Sequence, residues 1–276
     1  MVLENLTDFE SSKNHWGRVF AFGFFVNTVS LVVASIIFEP AAGLVALFLV
    51  SAAAFPLMSK IFEAEETIDV SGGGHFLERH GKMLKIYSGF FMGVLLSTSI
   101  SYFSMDQAHA NDVFSFQLSA LKSSHIGDRT TGAAFDASTF NVILVNNLRV
   151  AFISFAVSML FGAAAVFIVT WNASVIAVFA GILAKASAMP LAGYGVVASP
   201  LAFLFGLFSA TGSIALHGIP EIMSYFVAGL AGGIISTGIE KEKLNSERFR
   251  KVAKDGVILF TIAILMIFVA AAIESY

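Results

Sequence analysis

Residues 18–62 read RVFAFGFFVNTVSLVVASIIFEPAAGLVALFLVSAAAFPLMSKIF, two long apolar runs separated only by Glu39 and Pro40. A helix needs about 20 mostly apolar residues to cross the hydrocarbon core of a bilayer. The runs 18–38 and 41–62 both reach that length, and the Glu-Pro pair between them is typical of a tight turn. The stretch therefore predicts a leading pair of transmembrane helices.

The composition of the whole chain extends this interpretation. Hydrophobic residues make up 57% of the 276 residues and charged residues only 13%, against roughly 25% charged residues in ordinary soluble domains. A soluble core of this size could not be covered by so few charges, so the chain is predicted to be an integral membrane protein. The net charge of −3 argues against nucleic acid as a partner. The absence of cysteine excludes disulfides and thiolate sites.

Further apolar segments of spanning length lie at 84–105, 147–171, 218–238 and 256–273. Between them, residues 172–217 contain two shorter apolar segments around the Pro- and Gly-rich stretch AMPLAGYGVVASP. This region is expected to form a broken or re-entrant pair of half-helices. The predicted fold is all-α: a polytopic transmembrane bundle with about seven full or nearly full spans.

Lysine and arginine in the loops predict the orientation. The loops 63–83 and 239–255 are basic and are expected in the cytoplasm, whereas 106–146 has only Lys122 and Arg129 and is expected outside. The N-terminal segment 1–17 then lies in the cytoplasm, and the protein is placed in the plasma membrane.

This orientation requires one net crossing between two of the spans. Helices at 147–171 and 218–238 must both run from outside to inside, so 172–217 must cross the membrane once in total. Broken helices at membrane depth are tolerated only where protein buries them or where they line a cavity. The predicted domain following the leading pair spans 84–276.

The strongest candidate for a polar site lies beside this region. Lys185, His217 and Glu221 are ionisable residues in apolar surroundings, where a charge at the bilayer centre costs about 2.5–3.5 kcal/mol. His217 and Glu221 are four residues apart and share one helical face, with Pro220 near the expected helix start. The alternative is a buried ion pair that only holds the broken element together.

Four polar residues are secondary candidates. Asn146, Asn147 and Arg149 are expected to open the fourth long helix, where asparagine could cap it and arginine could reach the interface. Asn172 begins the region 172–217, directly after the span 147–171. Each of the four could instead contribute to the intramembrane site.

Small residues recur every four positions in two spans. Gly89 and Gly93 do so in one, and Gly229 and Gly233 in another. Such spacing lets membrane helices approach closely, so these glycines are interpreted as packing faces, either within one subunit or between subunits of a homo-oligomer.

The run VFSFQLSAL at 113–121 places Phe114, Phe116, Leu118 and Leu121 beside polar neighbours. This pattern fits a short amphipathic helix at the outer interface. An ordered segment packed on the bundle fits equally well.

Three stretches resemble a known family: NNLRVAFISFAVSMLFGAAAVFIVTWNASVIAVFAG from residue 146, HGIPEIMSYFVAGLAGG from residue 217, and the closing AAIESY. They are similar to the stage II sporulation protein M family, notably its archaeal members, and the likeness runs from about residue 84 to the end. The resemblance implies a membrane protein whose bacterial relatives act in endospore engulfment with peptidoglycan-degrading partners. The pair 18–62 is an addition to the bacterial pattern, and Leu216 stands where the family usually has proline.

Three classes of function follow from these observations. The first is a channel- or transporter-like protein with its site at the broken region. The second is a scaffold that organises cell-envelope proteins through the loop 106–146. The third, an intramembrane enzyme, is the weakest, because no nucleophile–base or metal pattern is present and no catalytic residue, metal or cofactor is predicted. The expected partners are the lipid bilayer, a second copy of the chain and envelope proteins.

Overall fold

The computed structural model describes residues 16–38, 40–71, 76–123, 137–162, 166–188 and 198–275. Within these ranges it does not describe the side chains of residues 61–71, 76–80, 82, 83, 123, 137, 198, 199, 211 and 213–217. The predictions made for segment 1–15 and for most of the Pro- and Gly-rich stretch therefore lie outside the described residues.

The described part of the chain folds into helices and contains no strand. In chain order they are α1 Trp16–Ile37, α2 Ala42–Ser71, α3 Phe76–Ser104, α4 Gln107–Val113, α5 Ser115–Ser123, α6 Ala137–Phe161, α7 Val166–Ala188, α8 Ala198–Lys241 and α9 Glu247–Glu274. The predicted all-α class is confirmed.

Seven of these helices contain a stretch long and apolar enough to cross a membrane. The stretches are Trp16–Ile37, Ala42–Lys60, Leu84–Ser104, Ser138–Phe161, Val166–Ala188, Gly218–Lys241 and Glu247–Glu274. A helix is the natural solution here, because it satisfies its backbone hydrogen bonds without water. The predicted number of spans is confirmed.

Side-chain contacts reveal the direction in which the spans run. Helices α1, α3 and α7 run the same way, because their contacts join residues in the same order along each pair: Trp16 with Ser88, Asn27 with Ser97, Ser99 with Ala177, and Lys185 with Met105. Helix α8 runs antiparallel to α3, since Phe103 contacts Phe203 near the start of α8 and Phe91 contacts Phe226 further along. Helix α6 runs parallel to α8, since Ser154 contacts Tyr225 and Ser158 contacts Gly232.

The remaining spans complete an alternating pattern. Helix α2 returns from α1 after a short turn, and α9 runs antiparallel to α8, since Gly238 lies against Val252 and Ile235 against Gly256. Consecutive spans therefore cross in alternate directions, and α7 supplies the single crossing that the charge pattern required between α6 and α8. The start of α1 and the α8–α9 connection lie at one end of the bundle, and α4 and α5 follow a span that ends at the other.

The span expected at 147–171 is wrong in its limits. Helix α6 begins ten residues earlier and ends at Phe161, and α7 begins at Val166. Gly162 follows α6 with a φ of 61°, a left-handed conformation that ends helices and that glycine adopts without steric cost. Asn146, Asn147 and Arg149 consequently lie inside α6 and do not cap it.

The described residues of 172–217 belong to two long helices and do not form the expected half-helices. Residues 172–188 complete the full-length α7, and 198–217 begin a continuous α8 that runs through Pro220. Asn172 does not end a helix, because its Nδ2 donates to the carbonyl of Ile168 one turn earlier, at 2.8 Å. At 44 residues, α8 is roughly 66 Å long, so only part of it can lie in a hydrocarbon core of about 30 Å.

Glycines bring α1 and α3 into backbone contact. A Cβ on Gly93 would meet backbone atoms of Phe20 and Phe24, whereas a Cβ on Gly89 would meet the ring of Trp16 and its carbonyl oxygen. Gly229 and Gly233 of α8 are buried. The close approach at Gly93 is made within one chain and does not require a second copy.

Residues 113–121 pack on the bundle. They belong to the end of α4 and to α5, where Val113, Phe114 and Gln117 are fully buried. A Cβ on Gly43 of α2 would meet Gln117, whose Nε2 lies 3.4 Å from the hydroxyl of Ser174 on α7. The buried face of this segment is therefore turned towards protein, while Phe116 is 45% exposed.

The orientation can be tested with single cysteines, because the chain has none of its own. Lys122→Cys at the end of α5 and Asn245→Cys in the α8–α9 connection are both at exposed positions. An impermeant thiol reagent added to intact cells is expected to label Lys122→Cys and to leave Asn245→Cys unlabelled until the membrane is opened. Labelling of both variants from one side would contradict the alternation of the spans.

The packing role of Gly93 predicts a loss of stability. Gly93→Ala is expected to lower the free energy of unfolding by about 1–3 kcal/mol, the range typical of overpacking, because backbone atoms of α1 cannot give way cheaply. The matched control is Gly212→Ala on α8, where nothing lies within 4 Å of the added methyl group. Its expected change is at most about 1 kcal/mol, in the stabilising direction. Thermal unfolding in detergent measures both, and equal losses would contradict the packing role.

Candidate functional site

Glu221 lies in α8, within the candidate span Gly218–Lys241, and its side chain is partly buried. Its carboxylate Oε1 is 2.7 Å from the hydroxyl of Tyr225, one helical turn further along. Residues four apart share one face of a helix, so this contact follows from the helix itself. Ser224 donates a hydrogen bond to the backbone carbonyl of Glu221 at 2.5 Å.

Helix α6 contributes the third member of the site. Asn147 is only 2% exposed, and its Oδ1 is 3.0 Å from the Tyr225 hydroxyl. Asn146 also donates to this Oδ1, at 3.3 Å, whereas Asn147 Nδ2 is buried without a partner among the described residues. Asn147, Glu221 and Tyr225 are called the Glu221 cluster below.

The register between α6 and α8 is held at two points beside the cluster. Ser154 of α6 donates to the backbone carbonyl of Tyr225 at 3.0 Å. Further along, a Cβ on Gly232 would meet backbone atoms of Phe155 and Met159, so the two helices touch there without intervening side chains. In this register the Tyr225 side chain, which points back towards the start of α8, reaches Asn147 with its hydroxyl.

Among the described side chains, a second carboxylate acts on the cluster. Glu274, in the last turn of α9, interacts electrostatically with both Glu221 and Tyr225. Among the side chains that the structure describes, no lysine or arginine forms an ion pair with Glu221. The cluster therefore offers carboxylate, phenol and amide oxygens in an acidic setting, which suits a proton or a small cation.

Lys185 lies elsewhere. Its Nζ donates to the carbonyl of Met105 at 2.7 Å and lies 4.7 Å from the centre of the Tyr102 ring, at the corner between α3 and α4. Its neighbour Ala184 packs against Gly206 of α8. Glu221 is 15 residues beyond Gly206, a rise of roughly 22 Å. The expected interaction between Lys185 and Glu221 is therefore wrong, because continuous helices hold the two side chains at different heights.

Asp106 joins the same corner. It is the N-cap of α4, and its carboxylate accepts a hydrogen bond from the backbone N–H of His109 at 3.0 Å. This bond holds the pKa of Asp106 below its ordinary value. The stabilisation it gives is present above the unfolded-state pKa and is lost as the pH falls through the lowered one.

The remaining predicted site residues do not form part of the Glu221 cluster among the described side chains. The His217 side chain lies outside the described residues, so its pairing with Glu221 stays a prediction. Arg149 is exposed, and Asn172 bonds within its own helix. Sequence reasoning missed Tyr225, although its place four residues after Glu221 was a signal that could have found it.

Comparison with known proteins adds one finding. A family model described as Stage II sporulation protein M matches residues 83–276. The matched region contains the whole Glu221 cluster and the Lys185 corner, whereas α1 and α2 precede it. No curated protein and no solved structure matches the chain. Among the described residues, no group of three His, Cys, Asp or Glu side chains is placed to hold a metal ion.

Proposed function

Because this chain belongs to the stage II sporulation protein M family and is an integral membrane protein, we propose that it works as a channel- or transporter-like protein. Its site is the Glu221 cluster, and the species it handles is a small cation, the proton included. In this proposal His217, one turn before Glu221, adds a group that changes charge near neutral pH.

One observation carries the proposal: a carboxylate within a candidate span faces a phenol and an amide and forms no ion pair with a lysine or arginine among the described side chains. Ionisable residues within membrane spans are rare, and they usually face a partner or a water-filled path. A purely structural ion pair would need a cation beside Glu221. The lysine expected in that role bonds to Met105 instead.

The packing beside the cluster closes one of its two sides. Towards the α8–α9 connection, Gly232 presses against the backbone of α6, which leaves no room for a path between these two helices. Towards the other end, Glu221 is near the end of α9, where Glu274 lies. A site with one closed side suits a gated transporter better than a permanently open pore.

The alternative remains a scaffold for cell-envelope proteins. Helices α4 and α5 favour it, because they pack firmly on the bundle yet leave Phe116 and Lys122 exposed. A scaffold would lose its partners when these exposed side chains are changed, and it would not depend on the carboxyl group of Glu221.

Ion flux through reconstituted protein tests the proposal. Glu221→Gln keeps the shape of the side chain but removes its ability to ionise, and it is expected to slow proton or cation flux about tenfold or more, equivalent to a transport barrier higher by roughly 1.4 kcal/mol. Glu240→Gln, at an exposed position of the same helix, is the matched control and is expected to leave flux unchanged. His217→Ala is expected to change the pH dependence of flux.

Stability must be followed in the same samples. Thermal unfolding in detergent identifies any variant whose lower flux reflects misfolding. Unchanged flux in folded Glu221→Gln protein, or no flux in the wild type, would refute the transport function and favour the scaffold.

A further inference from the structure

The hydroxyl of Tyr225 faces two oxygen atoms that both accept hydrogen bonds. It is 2.7 Å from Glu221 Oε1 and 3.0 Å from Asn147 Oδ1. A phenol has a single proton to donate, although its oxygen can also accept. The phenol cannot donate fully to both neighbours at once.

A proton on Glu221 resolves this conflict. The neutral carboxylic acid donates to the Tyr225 oxygen, and Tyr225 donates to Asn147 Oδ1. Every close oxygen pair in the cluster then has one proton between its atoms. Asn146 Nδ2 supplies a second donor to Asn147 Oδ1.

An ionised Glu221 requires a different arrangement. A carboxylate only accepts, so Tyr225 must turn its proton towards Glu221, and its oxygen then faces Asn147 Oδ1 with no proton between them. A half-turn of the Asn147 amide removes this clash by presenting Nδ2, a donor, to the phenol oxygen. The exposed Asn146 amide must turn with it, so that an oxygen and not Nδ2 faces the turned amide. In the orientation that the structure shows, Oδ1 and not Nδ2 faces the Tyr225 hydroxyl.

We propose that the ion handled by the Glu221 cluster is the proton, and that Tyr225 couples the protonation of Glu221 to the orientation of the Asn147 amide. This inference rests on the proposed function and specifies its substrate. When the proton leaves, the O–H bond of the Glu221 acid breaks, its electron pair stays on the carboxylate, and water at the end of the bundle near Glu274 accepts the proton. Binding is the reverse.

The surrounding groups suit a proton. From α9, Glu274 interacts with the cluster, and two nearby carboxylates hold one negative charge more readily than two. On α8, His217 precedes Glu221 by one turn, and its side chain lies outside the described residues. From α3, Tyr87 packs against Phe226, the neighbour of Tyr225.

The other helices bring no described charge to the cluster. On α6, Arg149 is exposed, and on α2 so is Lys60. On α7, Lys185 is engaged at Met105.

A larger cation fits this site less well. Hard divalent cations take six or more oxygen ligands, whereas the cluster offers three oxygen-bearing side chains, one of which must present a hydroxyl proton. Asn147 Oδ1 is also already occupied by Asn146 and Tyr225. A proton needs only the carboxyl oxygen and one acceptor.

Infrared spectroscopy of the purified full-length protein in lipid tests the inference directly. At neutral pH the wild type is expected to show the carbonyl band of a buried carboxylic acid, which Glu221→Gln abolishes and Glu240→Gln retains. As the pH rises, the loss of this band is expected to coincide with a change in the Asn147 amide signal, identified by its absence in Asn147→Leu. Tyr225→Phe is expected to keep the acid band but to separate the two changes, because the linking hydroxyl is gone.

The outcomes separate this inference from the proposed function. The inference would be overturned if folded wild-type protein had no acid band that depends on Glu221. It would also be overturned if the Asn147 signal stayed the same when that band is lost. If sodium or potassium flux then still requires Glu221 at constant pH, the transport function stands and only the proton is wrong. If the band and its coupling are present while vesicles move no cation, the proton site stands and the transport function fails.

Discussion

Water is not available in the hydrocarbon core to hydrogen-bond a backbone amide or a polar side chain, so each such group must find its partner inside the protein. The spans meet this requirement for their backbones by being helical. Their side chains meet it across helix contacts: Asn27 of α1 donates to both Ser97 and Thr98 of α3, at 2.9 Å each. Such bonds contribute about 0.6 kcal/mol on average in membranes, up to roughly 1.7. They therefore set register more than they add stability.

Several polar groups around Glu221 do not meet this requirement for a hydrogen-bond partner. Pro220 lies inside α8 and has no backbone N–H, so the carbonyl one turn earlier, at residue 216, loses its helical donor beside the cluster. Asn147 Nδ2 and the Ser158 hydroxyl, both on α6, are buried without partners among the described residues. Unpaired groups at membrane depth are costly. Asn27 Oδ1 on α1 is also buried without a partner among the described residues, so such groups occur at both helix contacts.

Helices α1 and α2 lie outside the family match, yet they share the core of the matched region. Val19 and Phe22 of α1 belong to the same buried cluster as Phe90 of α3 and Leu230 of α8. Gly93 allows the backbone contact that makes this possible. The leading pair is thus part of one bundle, and a change in α1 can reach α8 through α3.

The sequence by itself determined the membrane class, the all-helical fold, the number of spans and the family, because each depends on local properties: the length of an apolar run, the overall charge and short motifs. It also identified Glu221 and Asn147, since a polar residue in an apolar run is visible without a structure. Only the tertiary structure decided which polar groups meet. The break after Phe161 depends on Gly162 adopting a left-handed conformation, whereas Asn172, which resembled a break, bonds back into its own helix. Lys185 and Glu221 lie far apart, whereas Asn147 and Tyr225 are in contact. Both results follow from the register between continuous helices, which close contacts such as that of Gly232 with α6 determine. No short stretch of sequence specifies such a contact alone.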